Sequence, residues 1–355
     1  MRNTKEVFVG NIKVGGNSPI SVQSMTNVDT HDYDKVKSQI LSLQKAGCDI
    51  VRFTVPDMEA VKTIYKLKSE GISIPLVADI HFDYRIAIES ANAGIDKIRI
   101  NPGNIGDDKK VYEVASACKA KGIPIRIGVN SGSLEKNILA KYGAPTAEAL
   151  AESALYHASL LEKNDFDDIL ISVKSSDVMT MINANRILAK KCIYPLHLGV
   201  TESGRIGMGT IKSAIGIGTL LSEGIGDTIR VSLTDDPIHE IEAGQNILRA
   251  LGLYNSGFYN IVSCPTCGRT SIDLINICKS IEEQLSKLPK PSKKINVAVM
   301  GCVVNGPGEA KEAEIGIAGG NGEAILFKKG QIVRKIKEEN IVNELINEIV
   351  NLNIE

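Results

Sequence analysis

The chain has no tryptophan, only 4% aromatic residues, and no surplus of either charge: 41 Lys and Arg face 42 Asp and Glu, a formal net charge of −1. Without a long basic run or a basic patch interleaved with aromatics, neither nucleic acid nor an anionic membrane is expected as a partner. Long apolar runs are also missing. MRNTKEVFVG at the start has no apolar signal core, and the hydrophobic stretches fall well short of the roughly 20 residues that span a bilayer. Histidine is scarce, and none lies C-terminal of His239. Cysteine is present but scattered: seven, an odd number, in 355 residues too many to need disulfide staples. A reducing, cytoplasmic setting is therefore expected.

What is present supports one large core and a smaller one, because 43% of residues are hydrophobic and 23% charged. The division expected is residues 1–253 and 254–355. Before residue 236 the chain repeats a regular beat of eight β-rich segments: ISVQSMT, IVRFTVP, PLVADIH, KIRINPG, IRIGVNS, ILISVKS, LHLGVTE and TIRVSLT. Helical stretches such as DYDKVKSQILSLQKAGC and DMEAVKTIYKLKSEG separate them, several closing on glycine (Gly47, Gly71, Gly94, Gly122) as helix C-termini do. Strand and helix alternating eight times in about 250 residues predicts a (β/α)8 TIM barrel. A doubly wound open sheet is disfavoured, since no G-x-G-x-x-G follows the first strand.

Polar residues within these strands keep step with the two-residue period. Asp79 pairs in parity with His81, Arg99 with Asn101, Arg126 with Asn130, Ser172 with Lys174, His197 with Thr201, and Arg230 with Ser232. Their alternate neighbours, such as Ile98, Ile100, Ile125 and Ile127, are apolar and should face surrounding helices. The polar set is then left in the lumen near its C-terminal mouth, where barrel enzymes keep their active sites. Singly, Arg52, Arg99, Arg126, Lys174 or Arg230 would read as a structural ion pair. Five cations converging on one low-dielectric mouth repel one another unless an anion sits among them, and guanidinium forks suit phosphate oxygens. Several in one ring suggest more than one phosphate. The Gly-rich GMGTIKS after the seventh strand fits either a phosphate at a helix N-terminus or close helix packing.

The last hundred residues read as a smaller α+β unit: a CPTC turn, a helix over 271–288, strand INVAVMG, a Gly-rich loop, strands near EIGIAG, AILFKKG and QIVRKI, and a final helix to Val350. Cys264 and Cys267 in SCPTCGRT precede Cys302 in MGCVVNGPGEA. Three thiolates with no fourth cysteine after them and no nearby histidine are an awkward structural zinc site and a natural iron–sulfur site with one iron left open. The fourth ligand is either Cys278 or an oxygen donor such as Glu309. Cys278 shares helical spacing with Leu274, Ile281 and Leu285, which places it on an apolar stripe. Carboxylate binds cluster iron more weakly than thiolate, so Glu309 would be an exchangeable ligand, though an exposed loop acid would look the same.

SVQSMTN, ADIHFDYRIA, KIRINPGNIG, IRIGVNSGSLE, HLGVTESG, SAIGIGTLLSEGIGDTIRVSLTDDP, CPTCGR and GCVVNGPGEA, in this order and over nearly the whole chain, closely resemble the bacterial, two-domain 4-hydroxy-3-methylbut-2-enyl diphosphate synthase family. NVDTHD and Phe53, where a smaller residue is usual, match less well. The resemblance implies reductive ring opening and dehydroxylation of 2-C-methyl-D-erythritol 2,4-cyclodiphosphate in the methylerythritol phosphate pathway to isoprenoid precursors, two electrons passing through a 4Fe–4S cluster. It implies Cys264, Cys267 and Cys302 as thiolate ligands and Glu309 on the fourth iron until substrate displaces it. Around the diphosphate it implies Arg52, Arg99, Arg126, Lys174 and Arg230, with Asp79, Asn101, Asn130 and Ser232 nearby, and Glu202 or His81 to move protons. Flavodoxin or ferredoxin is the implied donor.

A barrel's eighth helix runs back to the N-terminal face, about 20 Å at 1.5 Å per residue, so a linker of roughly ten residues would have to stretch almost fully to bring a cluster to its own mouth. A head-to-tail homodimer, each site combining one barrel with the partner's cluster, is expected instead. Two other readings are weighed. A radical S-adenosylmethionine enzyme lacks its C-x3-C-x2-C motif here, and a non-catalytic phosphate-binding barrel with a zinc-stabilised interaction domain would hold stoichiometric zinc.

Overall fold

Each of the eight β-rich segments forms a strand in the computed structural model, which describes residues 1–106, 108–303 and 310–352. A short antiparallel hairpin comes first, β1 (Val7–Val9) and β2 (Ile12–Val14). The barrel strands follow: β3 (Ser21–Met25), β4 (Ile50–Thr54), β5 (Leu76–Asp79), β6 (Lys97–Ile100), β7 (Ile125–Asn130), β8 (Ile169–Lys174), β9 (His197–Leu198) and β10 (Thr228–Ile229). They pair in the order β8-β7-β6-β5-β4-β3-β10-β9, all parallel. The ring closes where Ile171 bridges to Leu196 and its N–H donates to the Pro195 carbonyl at 2.9 Å.

Helices between the strands bury the outward residues. Ile98, Ile100, Ile125, Ile127, Ile229 and Val231 are fully buried in the layer between barrel and helices. Phe53, opposite in parity to Arg52, belongs to the same layer and so stays out of the lumen. Aspartates begin many of the helices: Asp32, Asp57, Asp83, Asp177 and Asp236 each accept from a first-turn N–H, a cap worth about 1 kcal/mol. Gly47 and Gly94 end theirs with φ of 90° and 83°, where a side chain would be strained.

The hairpin is absent from the sequence reading, its strands of three residues being too short to show a period. It matters because Val7, Val9 and Val14 bury against Ile50, Val77 and Leu170, the inward residues near the strand starts. The N-terminal end of the lumen is thereby sealed with hydrocarbon, and polar groups above it can meet solvent only at the opposite mouth.

The chain divides into units Met1–Tyr254 and Asn255–Glu355. In the second, β11 (Tyr259–Ser263), β12 (Ile295–Met300), β13 (Ile315–Gly319), β14 (Glu323–Lys328) and β15 (Gln331–Lys337) form one sheet in sequence order. β11, β12 and β13 are parallel and the remaining pairs antiparallel. Helices Leu274–Lys287 and Ile341–Leu352 cover the sheet, burying Ile277, Ile281, Leu345 and Ile349. β11 is the addition to the sequence reading, half exposed and lacking an alternating pattern. Among the described residues no helix is long and apolar enough to cross a membrane.

Candidate functional site

A cavity of about 120 Å³ opens at the C-terminal mouth of the barrel. Its cations are Arg52 from β4, Arg99 from β6, Arg126 from β7, Lys174 at the end of β8 and Arg230 just after β10. Asp79, His81, Asn130, Ser172, Thr201 and Ser232 complete the polar wall. The register explains the convergence, since Asp79 lies beside Arg99, Arg99 beside Arg126, and Asn130 beside Lys174.

Two glycines make room for this crowd. A Cβ at Gly128 would stand 2.3 Å from the Arg99 Nε, and one at Gly199 would stand 2.9 Å from the Lys174 Nζ. Both share the inward parity of their strands, which is the signal by which sequence alone would reveal them. Three further inward or supporting residues also escape the sequence reading. Lys97, two residues before Arg99, donates to Gln23 Oε1 at 3.4 Å. Met25 Sδ accepts from Arg52 Nη2 at 2.8 Å. Glu240, on helix Pro237–Ala250, is buried against Arg230.

Negative charge is short here. Asp79 meets Arg99 Nη1 at 3.1 Å and Arg52 Nε at 3.7 Å, and the Arg99 Nη2 donates to the Gly128 carbonyl at 3.2 Å. Arg126 is only 1% exposed, yet its Nε and Nη1 have no hydrogen-bond partner among the described residues. Burial, compounded by Arg52 and Arg99, pushes its guanidinium well below the usual arginine range. Lys174 is pushed well down by burial and by Arg230, Arg52 and Arg126. Arg52 falls to about 10, chiefly by burial, against the pull of Asp79. His197, inward but beneath the cavity, is held neutral by burial and by Arg126 and Lys174, with both ring nitrogens unpartnered. A lumen of buried donors lacking acceptors is built for an anion.

Burial alone would push the Asp79 carboxyl up; Arg52, Arg99, His81 and Arg126 together overcome it and hold it at about 2, below the ordinary 3.8. Because the folded value is the lower one, Asp79 contributes stability above about pH 4 that is lost as the pH falls toward 2. A shift of this size corresponds to about 2 kcal/mol. In urea titrations of the full chain, Asp79→Asn is expected to lose about 2 kcal/mol less than the parent between about pH 5 and pH 2. Equal losses would show that the ion pairs carry no pH-dependent stability.

Besides His197, two residues named from sequence do not line the cavity. Asn101 is buried just beyond β6. Glu202 is exposed on the turn after β9, in a left-handed conformation (φ 53°) rare outside glycine. Near GMGTIKS two glycines serve close packing, since a Cβ at Gly209 would meet the Gly204 carbonyl at 2.8 Å and one at Gly216 the Met181 methyl at 2.7 Å, whereas Gly207 has open space around it and a φ of 99°. A larger cavity of about 500 Å³, among the helices outside the barrel, carries Glu135, Glu148 and Glu152 and suits no phosphate.

In the second unit, Ser263 pairs with Val299, so Cys264 and Cys302 leave the C-terminal ends of adjacent parallel strands. The Gly301 N–H donates to the Cys264 Sγ at 3.2 Å, and a Cβ at Gly301 would meet Thr270 at 2.9 Å. Thr270 Oγ1 in turn accepts from the Cys267 N–H at 3.1 Å, and Ser271 N–H donates to the Gly301 carbonyl at 3.0 Å. The two cysteine-bearing segments are thus stitched together. Cys267 is exposed, Cys264 and Cys302 half buried, and all three are free thiols. Cys278 is half buried on the core face of its helix, its thiol pushed up by burial. Among the described residues no three His, Cys, Asp or Glu side chains gather as a metal site, and Glu309 lies outside those residues. The donor chemistry, soft thiolates with a backbone N–H aimed at a sulfur, fits an iron–sulfur cluster.

A family profile described as the GcpE TIM-barrel domain matches residues 4–245, and one described as the GcpE protein C-terminal domain matches residues 260–351. The chain belongs to the GcpE family. A Clostridium perfringens protein named 4-hydroxy-3-methylbut-2-en-1-yl diphosphate synthase (flavodoxin) is 61% identical over 345 residues, 97% of each chain. A Ruminiclostridium cellulolyticum protein of the same name is 60% identical, covering 98% of this chain and 97% of that one. Among solved structures, Yersinia pestis dihydropteroate synthase aligns with a TM-score of 0.50 at 13% identity, covering 70% of this chain and 98% of that one. That likeness is one of fold. The two GcpE matches fall within the two units of the chain, and the mouth cations and the cysteines lie inside them.

Proposed function

We propose that this chain converts 2-C-methyl-D-erythritol 2,4-cyclodiphosphate to 4-hydroxy-3-methylbut-2-enyl diphosphate, consuming two electrons and releasing one water. The observation that carries this is the mouth cavity, where five buried or half-buried cations face one lining carboxylate and Arg126 keeps two buried donors free. Family membership and relatives named for that synthase supply the substrate.

Arg52, Arg99, Arg126, Lys174 and Arg230 bind the two phosphates, and Asn130 and Ser232 add neutral polar contacts. Asp79 orients Arg99 and, more loosely, Arg52. Arg99 Nη1 lies 3.3 Å from His81 Nε2, and because a guanidinium can only donate, the neutral imidazole accepts there and carries its proton on Nδ1, which makes it a proton source for a leaving hydroxyl. Glu202 is the alternative proton carrier. Cys264, Cys267 and Cys302 would hold a 4Fe–4S cluster with Glu309 on the fourth iron, and that group supplies one-electron transfers and a Lewis-acidic metal. The names of the relatives support flavodoxin as the donor, and the free, scattered cysteines support a reducing cytoplasm. A head-to-tail homodimer, joining one barrel to its partner's cluster, is supported by helix Pro237–Ala250 running away from the mouth before the second unit begins at Asn255.

Anaerobic reconstitution with iron and sulfide tests the reading. A brown protein whose absorbance bleaches on reduction and changes with the cyclic diphosphate is expected; a colourless protein with stoichiometric zinc contradicts it and favours a non-catalytic binding barrel.

A further inference from the structure

We infer that Glu240, with Ser24 behind it, is a positioning residue that aims Arg230 at the anion. The inference rests on the proposed binding of a diphosphate at the barrel mouth. Glu240 is 3% exposed and Ser24 fully buried. All the acceptor capacity of the carboxylate is engaged. Its Oε2 accepts from Ser24 Oγ at 2.9 Å and from Arg230 Nε at 3.2 Å. Its Oε1 accepts from Arg230 Nη2 at 3.3 Å and from the Leu233 N–H at 3.1 Å.

This side-on fork fixes the plane of the Arg230 guanidinium. It leaves the end-on face, both Nη1 hydrogens and the second Nη2 hydrogen, for another partner, and Arg230 lines the mouth cavity. Among the described residues, the contact on that face is a long one from Nη1 to Met25 Sδ, 3.5 Å. An arginine with a free fork and a locked plane is preorganised for a phosphate. Ser24 sets the carboxylate, the carboxylate sets the guanidinium, and the Leu233 N–H ties both to the turn that carries Ser232.

Charge and position make opposite demands here, which separates them experimentally. Glu240 opposes the cations, holding up the protonated forms of Arg52 and Lys174. If it mattered only as a charge, removing it would make the mouth more positive and anions would bind more tightly. If it positions Arg230, Glu240→Gln must bind anions more weakly, because the amide Nε2 cannot accept and turns a donor toward Arg230.

The test measures Kd for the cyclic diphosphate and for inorganic diphosphate on the reconstituted full-length protein, with KM and kcat beside them. Glu240→Gln is expected to weaken both ligands about tenfold through KM with little change in kcat. In an Arg230→Ala background the same change should cost less than about twofold, since a residue acting through Arg230 has nothing left to position. Ser24→Ala, which keeps the fork, should cost about threefold and guards against a misfolded first variant. Tighter binding by Glu240→Gln, or equal losses with and without Arg230, overturns the inference. Loss of inorganic diphosphate binding without any binding of the cyclic compound by the parent protein overturns the proposed substrate and leaves the positioning role standing.

Discussion

Arg126→Met is expected to reduce turnover of the cyclic diphosphate by about a thousandfold while making the unliganded protein more stable. Both signs follow from one feature. The guanidinium is buried with Nε and Nη1 unpartnered among the described residues, beside Arg52 and Arg99, so without a bound anion it is a cation that Asp79 offsets only in part. Methionine fills similar volume without that charge, and stability should rise by about 1–3 kcal/mol. With the diphosphate present, the same two nitrogens gain charged acceptors in a dry site. Losing a desolvated, charge-assisted contact costs about 2–5 kcal/mol, which spans the thousandfold loss. Thermal unfolding and steady-state kinetics on the same preparation check the pair. A variant that loses both stability and activity would show Arg126 to be structural.

Cys302→Ala should abolish activity and the visible absorbance of the reconstituted protein while leaving diphosphate binding within about twofold of the parent, because the mouth cations all lie in the other unit. Arg126→Met is its mirror image, with absorbance intact and binding lost. A mixture of the two chains distinguishes a shared site from a self-contained one. With random exchange half the dimers are mixed, and in a head-to-tail dimer each mixed pair holds one site with an intact barrel and an intact cluster. About a quarter of the parent activity should return. No recovery after confirmed subunit exchange would show that each chain serves its own barrel.

The barrel was legible because parallel strands read as short β-rich runs and the intervening helices end in recognisable caps, Asp57 and Gly94 among them. The lumen was legible for the same reason: a two-residue period puts Arg99 and Arg126 on one face. The structure places Lys97 on that face too, but its chemistry depends on reaching Gln23, and no local pattern records a cross-lumen contact. Glu240 was hidden differently. It sits on a helix, where an acid normally signals a solvated face, and only the close approach of Arg230 makes it part of the site. The hairpin that seals the lumen was too short to show a period. In the second unit, spacing named the cysteines, whereas the N–H from Gly301 to Cys264 depends on the register of β11 with β12. HLGVTESG names Glu202, but neither its left-handed backbone nor its exposed place outside the cavity wall is recorded in a motif.

The most direct test of the account is phosphorus NMR of the anaerobically reconstituted protein, reduced by flavodoxin, during incubation with the cyclic diphosphate. The account predicts that the two resonances of the ring give way to those of a linear diphosphate ester, with two electrons consumed per molecule opened. Ring resonances that persist beside a fully loaded and reduced cluster, or that vanish without consuming reductant, would contradict it.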